Sequence, residues 1–443
     1  MKSNKHNPFL LFAAITLAVS ATSITLHGQT NVRTWDGDAG TGNLDTASNW
    51  SNNTLPSTSS TNGDQMRFDG GTGPSTRTFG QLTFNGGSGL HSVLVTGNQT
   101  SALTLNATTS GGGFRLRSNI NIQDGAGAFS MGTGGETFLL NIPGDSATFT
   151  FTNNSDNLAT IGSQASISRS GTGFSNPIFT GSGDWLVEGP IFSSVSNMSK
   201  TGAGKLTINR NAGSVGNFTI SGGTLQLGNG GTVGAFTNAG FTGIVNNASL
   251  VFNRGSGSDL THSAPISGTG SVTQAGLNAL TLAGTHTYEG ATTVSAGTLY
   301  VTGALSNSAV TVEANATIGG TGSLGNGLAF AGTSFLEVVD LNDALAVAGT
   351  ITFDSGFGID NLLGIDWDSL DLNTAYTVLS TGQEFDELDI ANFGFANRVP
   401  VGSSGREAYF TNGSLAVIVI PEPAAALLGS LGMLLLLRRR RHA

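Results

Sequence analysis

Apolar residues alternate with Thr, Ser, Asn or Gln in short runs spread over most of the chain. Among them are Leu82-Thr83-Phe84, Leu103-Thr104-Leu105, Ala147 to Phe151, Leu225-Gln226-Leu227 and Val310-Thr311-Val312. A period of two bounded by turn residues predicts strands of about three to six residues. No stretch of the body carries a sustained helical stripe with caps. Strands this short cannot bury a face alone, so they must stack on one another.

The pattern also repeats. Sliding the chain by 74 residues superposes Lys200 to Leu227 on Gln274 to Val301 without a gap, and nine of the 28 positions are identical. Three of these matches are the glycine pairs Gly202/Gly276, Gly216/Gly290 and Gly223/Gly297, and the others include Leu206/Leu280 and Leu225/Leu299. Leu206 and Ile208 point to one face of their strand and Thr207 to the other. Gly202, Gly216 and Gly223 let the chain turn corners with positive φ. Strand and corner in alternation describe a β-helix, in which 74 residues hold about three coils of 20 to 30 residues each.

Composition narrows the classes. The chain has 443 residues, 66 of them Gly and none Cys, and only 10% are charged. A disulfide framework, thiolate metal site and cysteine nucleophile are excluded. The 25 phenylalanines against four Tyr and four Trp suit an interior with few partners for a hydroxyl. The formal net charge is -10, but Lys2, Lys5 and Arg438 to Arg441 supply six of the 18 bases, leaving the body more acidic still. No Lys or Arg occurs from Gly255 to Asn397, which argues against nucleic acid as a partner.

The two ends read as addresses. Lys2 and Lys5 precede an apolar run from Phe9 to Val19, the layout of a secretory signal peptide over 1–28, with cleavage after Ala21 or after Gly28. At the other end, over 419–443, Pro421-Glu422-Pro423 is followed by an uncharged run from Ala424 to Leu437 and by Arg438, Arg439, Arg440 and Arg441. As a helix that run rises about 21 Å, short of a bilayer core of about 30 Å unless its flanks contribute. The arginines would hold their side in the cytoplasm and place the body outside. This order of tripeptide, hydrophobic helix and arginine cluster resembles the PEP-CTERM sorting signal. The resemblance implies an exosortase-type processing enzyme as partner, a membrane contact only through the tail before processing, and an association with extracellular polysaccharide and biofilm.

The repeated segments, near 197–228 and 271–302, resemble the autotransporter-associated β-strand repeat. Lys200, Gly202, Gly204, Leu206, Ile208, Gly216, Gly223, Thr224 and Leu225 meet its pattern. The second copy meets it through Leu280, Leu282, Tyr288, Gly290, Thr292, Val294, Gly297 and Leu299. The second copy departs where Gln274 replaces the lysine and Asn278 the second glycine. Thr34-Trp35-Asp36-Gly37, with Ser48-Asn49-Trp50 and Pro56, resembles the opening of such proteins. A translocating outer-membrane barrel is not expected after the repeats, so the resemblance is to an exported passenger.

From about Phe330 the runs lengthen (Phe335 to Val339, Ala375 to Leu379, Leu415 to Ile420), Gly thins and acids accumulate, as in a terminal cap with a polar outer face. Asp366 and Asp368 lie two apart on an expected strand and offer the paired carboxyls of a glycoside hydrolase, which need a separation of about 5 to 9.5 Å. Asp340, Asn342 and Asp343, or Asp366, Asp368 and Asp371, offer oxygen ligands to calcium, without matching a calcium-loop motif. His91, His262 and His286 show no ligand spacing, and no cofactor motif is present.

The expected fold is therefore all-β. It is a right-handed parallel β-helix over 29–329 with a C-terminal β region or cap over 330–418, flanked by the signal peptide and the sorting helix. The expected function is that of an exported, non-catalytic surface or matrix protein without cofactor or metal. The alternatives are a polysaccharide-degrading β-helix enzyme and a calcium-dependent adhesin.

Overall fold

The computed structural model describes residues 32–422, except 37–43, 45–46, 54–63, 71–75, 80–91, 109–111, 116–118, 144–147, 171–175, 192–194, 213–214, 237–239 and 413. The signal segment, Leu82-Thr83-Phe84, His91 and the tail from Pro423 with its four arginines lie outside the described residues.

The chain winds into a parallel β-solenoid, each complete turn laying one strand on each of three walls. The first wall is a ten-stranded sheet running from Val32–Trp35 to Ile266–Ser267. The second is a thirteen-stranded sheet from Thr76–Phe79 to Ile351–Phe353. The third is made in succession by sheets of three, two and six strands, the last from Leu260–His262 to Leu362–Leu363. Among the described residues no helix is long and apolar enough to cross a membrane.

Alternation of apolar and polar residues produces this stack. In the second wall Leu206 pairs with Leu225, Leu225 with Leu250 and Leu250 with Val272, all buried. Each such side chain contributes about 1.5–3 kcal/mol by leaving water. Aromatic rings stack along the axis too: Phe151 lies parallel to Phe179 at 4.5 Å, with Trp185 edge-on at 5.6 and 5.7 Å. At the first turn Trp35 and Trp50 meet in a T at 5.3 Å, and Trp50 Nε1 donates to the Leu44 carbonyl at 2.9 Å. The tryptophans of the opening motif thus help close the core at its N-terminal end.

The two repeat copies do not lie on the same walls. In the first copy Lys200 ends a strand of the first wall and Leu206 and Leu225 lie on the second. In the second copy Gln274 ends a strand of the second wall, and Leu280 and Leu299 lie on the third. The 74 residues therefore span three turns and one further wall.

A break interrupts the first wall after Ile266–Ser267. An eight-stranded sheet takes over from Thr285–His286. The Thr287 N–H donates to the Ile266 carbonyl at 2.9 Å, while the Ile266 N–H donates to the His286 side chain, Nδ1, at 3.2 Å. An imidazole splices the two sheets where a backbone carbonyl would ordinarily accept.

Parallel stacking continues well beyond residue 330, through Phe335–Glu337, Ile351–Phe353 and Leu362–Leu363. The cap begins at Ala375–Thr381. This strand pairs in parallel with Ala346–Val347 on one side and antiparallel with Leu415–Pro421 on the other. Arg406–Thr411 and Val399–Val401 complete an antiparallel meander. Asp366 and Asp368 are not on a strand. They occupy a turn in which the Ser369 N–H donates to the Asp366 carbonyl at 3.1 Å.

Candidate functional site

The lateral walls present columns of polar side chains. On the outer face of the second wall Thr104 and Ser130 share a hydroxyl hydrogen bond of 2.8 Å across adjacent rungs. Further along, Thr273, Thr293 and Thr311 stand in register at the same position of three successive strands. Rungs are about 4.8 Å apart, so these hydroxyls form a regular array. The array can donate and accept hydrogen bonds repeatedly along the axis but holds no nucleophile-base pair.

The corners carry their own chemistry. Three of the glycines singled out by the repeat adopt positive φ: Gly202 at 72°, Gly223 at 66° and Gly297 at 60°. Gly216 instead lies within the strand Val215–Ile220. Gly276 and Gly290 are required by space, since a Cβ at either would overlap backbone atoms, of Arg254 and of Gly270 and Ser271 respectively.

Lys200 is buried at the first corner. Its Nζ donates to the carbonyls of Thr201, Gly202 and Gly222 at 2.5, 2.9 and 3.3 Å. Burial pulls its pKa down to about 8, partly offset by the Asp184 carboxylate. At the second corner Gln274 Nε2 donates to the carbonyls of Gly276 and Asn278 at 2.9 and 3.0 Å, and to Asn278 Oδ1 at 3.2 Å. Both departures of the second copy thus belong to one arrangement. Asn153 and Asn246, also buried, cap other corners by donating to the Asp184 and Ser271 carbonyls at 2.9 and 2.8 Å. The signal for such positions is a polar residue ending an otherwise alternating run, followed by a glycine turn at Lys200 and Gln274 and by a turn rich in Asn, Ser and Ala at Asn153 and Asn246.

The acidic candidates are engaged in structure. The Asp368 carboxylate accepts the backbone N–H and hydroxyl groups of both Ser403 and Ser404, which hold it well below the ordinary range. It clamps the loop between Val399–Val401 and Arg406–Thr411, and Arg406 Nη1 donates to the Trp367 carbonyl at 3.0 Å beside it. Asp340 Oδ1 accepts from the Asn342 backbone and side chain at 2.8 and 3.2 Å, a local turn. Among the described residues no group of three or more His, Cys, Asp or Glu side chains is arranged to hold a metal. The cap has an open cavity of about 440 Å³ lined by residues including Glu387, Leu388, Asn392 and Arg398. Glu387 is the only carboxylate among its lining residues.

Of the sorting tripeptide, Pro421 ends the last strand opposite Arg406, and the Glu422 N–H donates to the Gly405 carbonyl at 2.9 Å. Pro423 and Arg438 to Arg441 lie outside the described residues.

These walls and corners define the class: a parallel β-solenoid built on strand–glycine-corner repeats. The passenger-associated-transport-repeat family matches residues 198–227 and 272–301, the two segments whose self-similarity reveals the repeat. A 67-residue stretch is 48% identical to an adhesin, the BmaC autotransporter of Brucella suis biovar 1 (strain 1330). That stretch is 15% of this chain and spans only 2% of the adhesin's length. No solved structure matches.

Proposed function

We propose that this chain is an exported, non-catalytic β-solenoid of the cell surface or extracellular matrix, whose lateral walls adhere to polysaccharide. The observation that carries this reading is the register of outward hydroxyls on the thirteen-stranded wall, which repeats one hydrogen-bonding unit along the axis. A long polymer of repeating hydroxyls is its natural complement. The passenger-type repeats and the resemblance to an adhesin segment support a surface location. Asp368, tied by the serine loop, supports a structural role for the acidic turn.

A glycan array probed with residues 30–420 tests the proposal. Binding to a polysaccharide, weakened at least severalfold when Thr273, Thr293 and Thr311 are replaced together by Ala, is the expected outcome. Release of reducing ends or unsaturated sugars by the purified protein, abolished by Asp366→Asn, would establish the enzyme instead. A large calcium-dependent rise in Tm, reversed by chelation, would favour the calcium-dependent adhesin.

The sorting reading is proposed alongside. In it, Pro421-Glu422-Pro423 is recognised by an exosortase-type enzyme and the segment beyond is removed after transient anchoring in the inner membrane. Mass spectrometry of the exported protein is expected to find no peptide carrying Arg438 to Arg441. Recovery of that tail on mature protein would refute processing.

A further inference from the structure

The break in the first wall divides the solenoid into two sections, and the thirteen-stranded wall runs through both. His286 stands at the break, fully buried, and His262 lies beside it on the third wall, 5% exposed. Their rings are 6.1 Å apart and inclined by 24°. Phe252 and Phe241 pack edge-on against His262 at 5.6 and 6.2 Å.

We propose that His286 and His262 form an acid-sensitive latch: protonation breaks the imidazole splice and opens the solenoid at this junction while the coils on either side stay stacked. The atoms involved dictate this. His286 Nδ1 accepts from the Ile266 N–H at 3.2 Å, so the neutral ring carries its hydrogen on Nε2. A second proton has only Nδ1 to bind, where it would face the Ile266 N–H donor. His262 is bonded to the backbone of Ala264 and its Nε2 is buried without a partner, as is Nε2 of His286. A proton on His262 therefore gains no acceptor.

No carboxylate compensates. The strands packed around the pair, Ser249–Phe252, Ile266–Ser267, Ala279–Leu282 and Ala304–Leu305, carry no titratable side chain. The Tyr288 hydroxyl, buried two residues beyond His286, is bonded to Thr292 Oγ1 at 2.6 Å, and Arg254 and Asp259, charged residues on the preceding turn, are engaged elsewhere. Arg254 Nε donates to the Ser258 carbonyl at 2.9 Å, and Asp259 Oδ1 accepts from the Ala279 N–H at 3.0 Å. Glu289 is exposed.

Both imidazoles are lowered from 6.5 to about 4, His286 by burial and His262 by burial together with the charge His286 would carry, against which its bond to the Ala264 backbone works. Because the unfolded chain binds these protons more readily, stability from the pair is fully present above about pH 6.5. It is lost as pH falls toward 4.

Hydrogen exchange of the full chain at pH 7, 5 and 4, corrected for intrinsic exchange rates, tests the latch. Peptides within 241–290 are expected to lose protection about tenfold more on acidification than peptides within 159–208 or 310–330. His286→Asn, whose amide oxygen accepts from Ile266 without titrating, should keep the junction closed at pH 4. His286→Leu should open it already at pH 7. Should His286→Leu fail to fold, His262→Phe serves: its ring fits between Phe241 and Phe252, and the opening should move to lower pH. Uniform loss of protection along the chain, a His286→Asn variant as acid-labile as the natural protein, or an imidazole titration near pH 6.5 for both histidines would each overturn the proposal.

Discussion

The two repeat copies build the same corner with different side chains. In the first, a buried ammonium group gathers three carbonyls around Gly202. In the second, the amide of Gln274 reaches the Gly276 carbonyl and is helped by Asn278, which stands where the first copy has Gly204. What the two have in common is a donor aimed at the carbonyls of the turn, because carbonyls directed inward must be satisfied away from water. The charge is dispensable.

Room differs as well. Beneath Gly204 the previous turn, 181–184, is only four residues long, and a Cβ there would overlap the Gly183 carbonyl. Beneath Asn278 the turn is 253–259, seven residues, and the side chain fits.

Substitutions at the first corner separate these two solutions. The largest effect is expected from Gly204→Ala, roughly 3–5 kcal/mol of destabilisation in urea unfolding, because backbone rather than a flexible side chain must move. A loss under about 1 kcal/mol would show that the short turn can widen. Lys200→Met should cost about 2–3 kcal/mol by leaving the corner carbonyls without their donor, and an unchanged midpoint would remove the capping role. Lys200→Gln, importing the second copy's solution, should cost no more than about 1 kcal/mol. If it costs as much as Met, charge matters after all.

The same variant isolates the electrostatics. Lys200 titrates at about 8 in the fold against 10.5 in the open chain, so the unfolded state binds the extra proton between those values. Stability from this residue therefore rises with pH from about 8 to 10.5 and is flat below 8. Unfolding midpoints of the natural protein and Lys200→Gln should diverge in that window, and parallel profiles would show the lysine to be better solvated than its burial implies. The smallest effect is at the cap: Asp368→Asn should speed amide exchange at Ser403 and Ser404 while leaving global Tm unchanged.

Much of the architecture is legible in the chain. The runs at Leu103, Leu225 and Val310 are strands because alternation is a local property that stacking only reinforces. Gly202, Gly223 and Gly297 turn corners because positive φ disfavours side chains. Gly216 shows the limit, since a glycine inside a strand looks the same in sequence as one at a corner. Asp366 and Asp368 show another. Spacing of two suggests one strand face, but Asp368 finds its partners at Ser403 and Ser404, 35 and 36 residues away.

Residue order alone dictates a stack of short strands with glycine corners and an acidic far end, because alternation, turn residues and charge act over a few residues. Which wall each repeat occupies emerges only on folding, since turn lengths add up along the chain and move the second copy by one wall. Folding also makes Lys200 and His286 interior groups. Each completes backbone hydrogen bonding that exists only after neighbouring turns have been laid against one another.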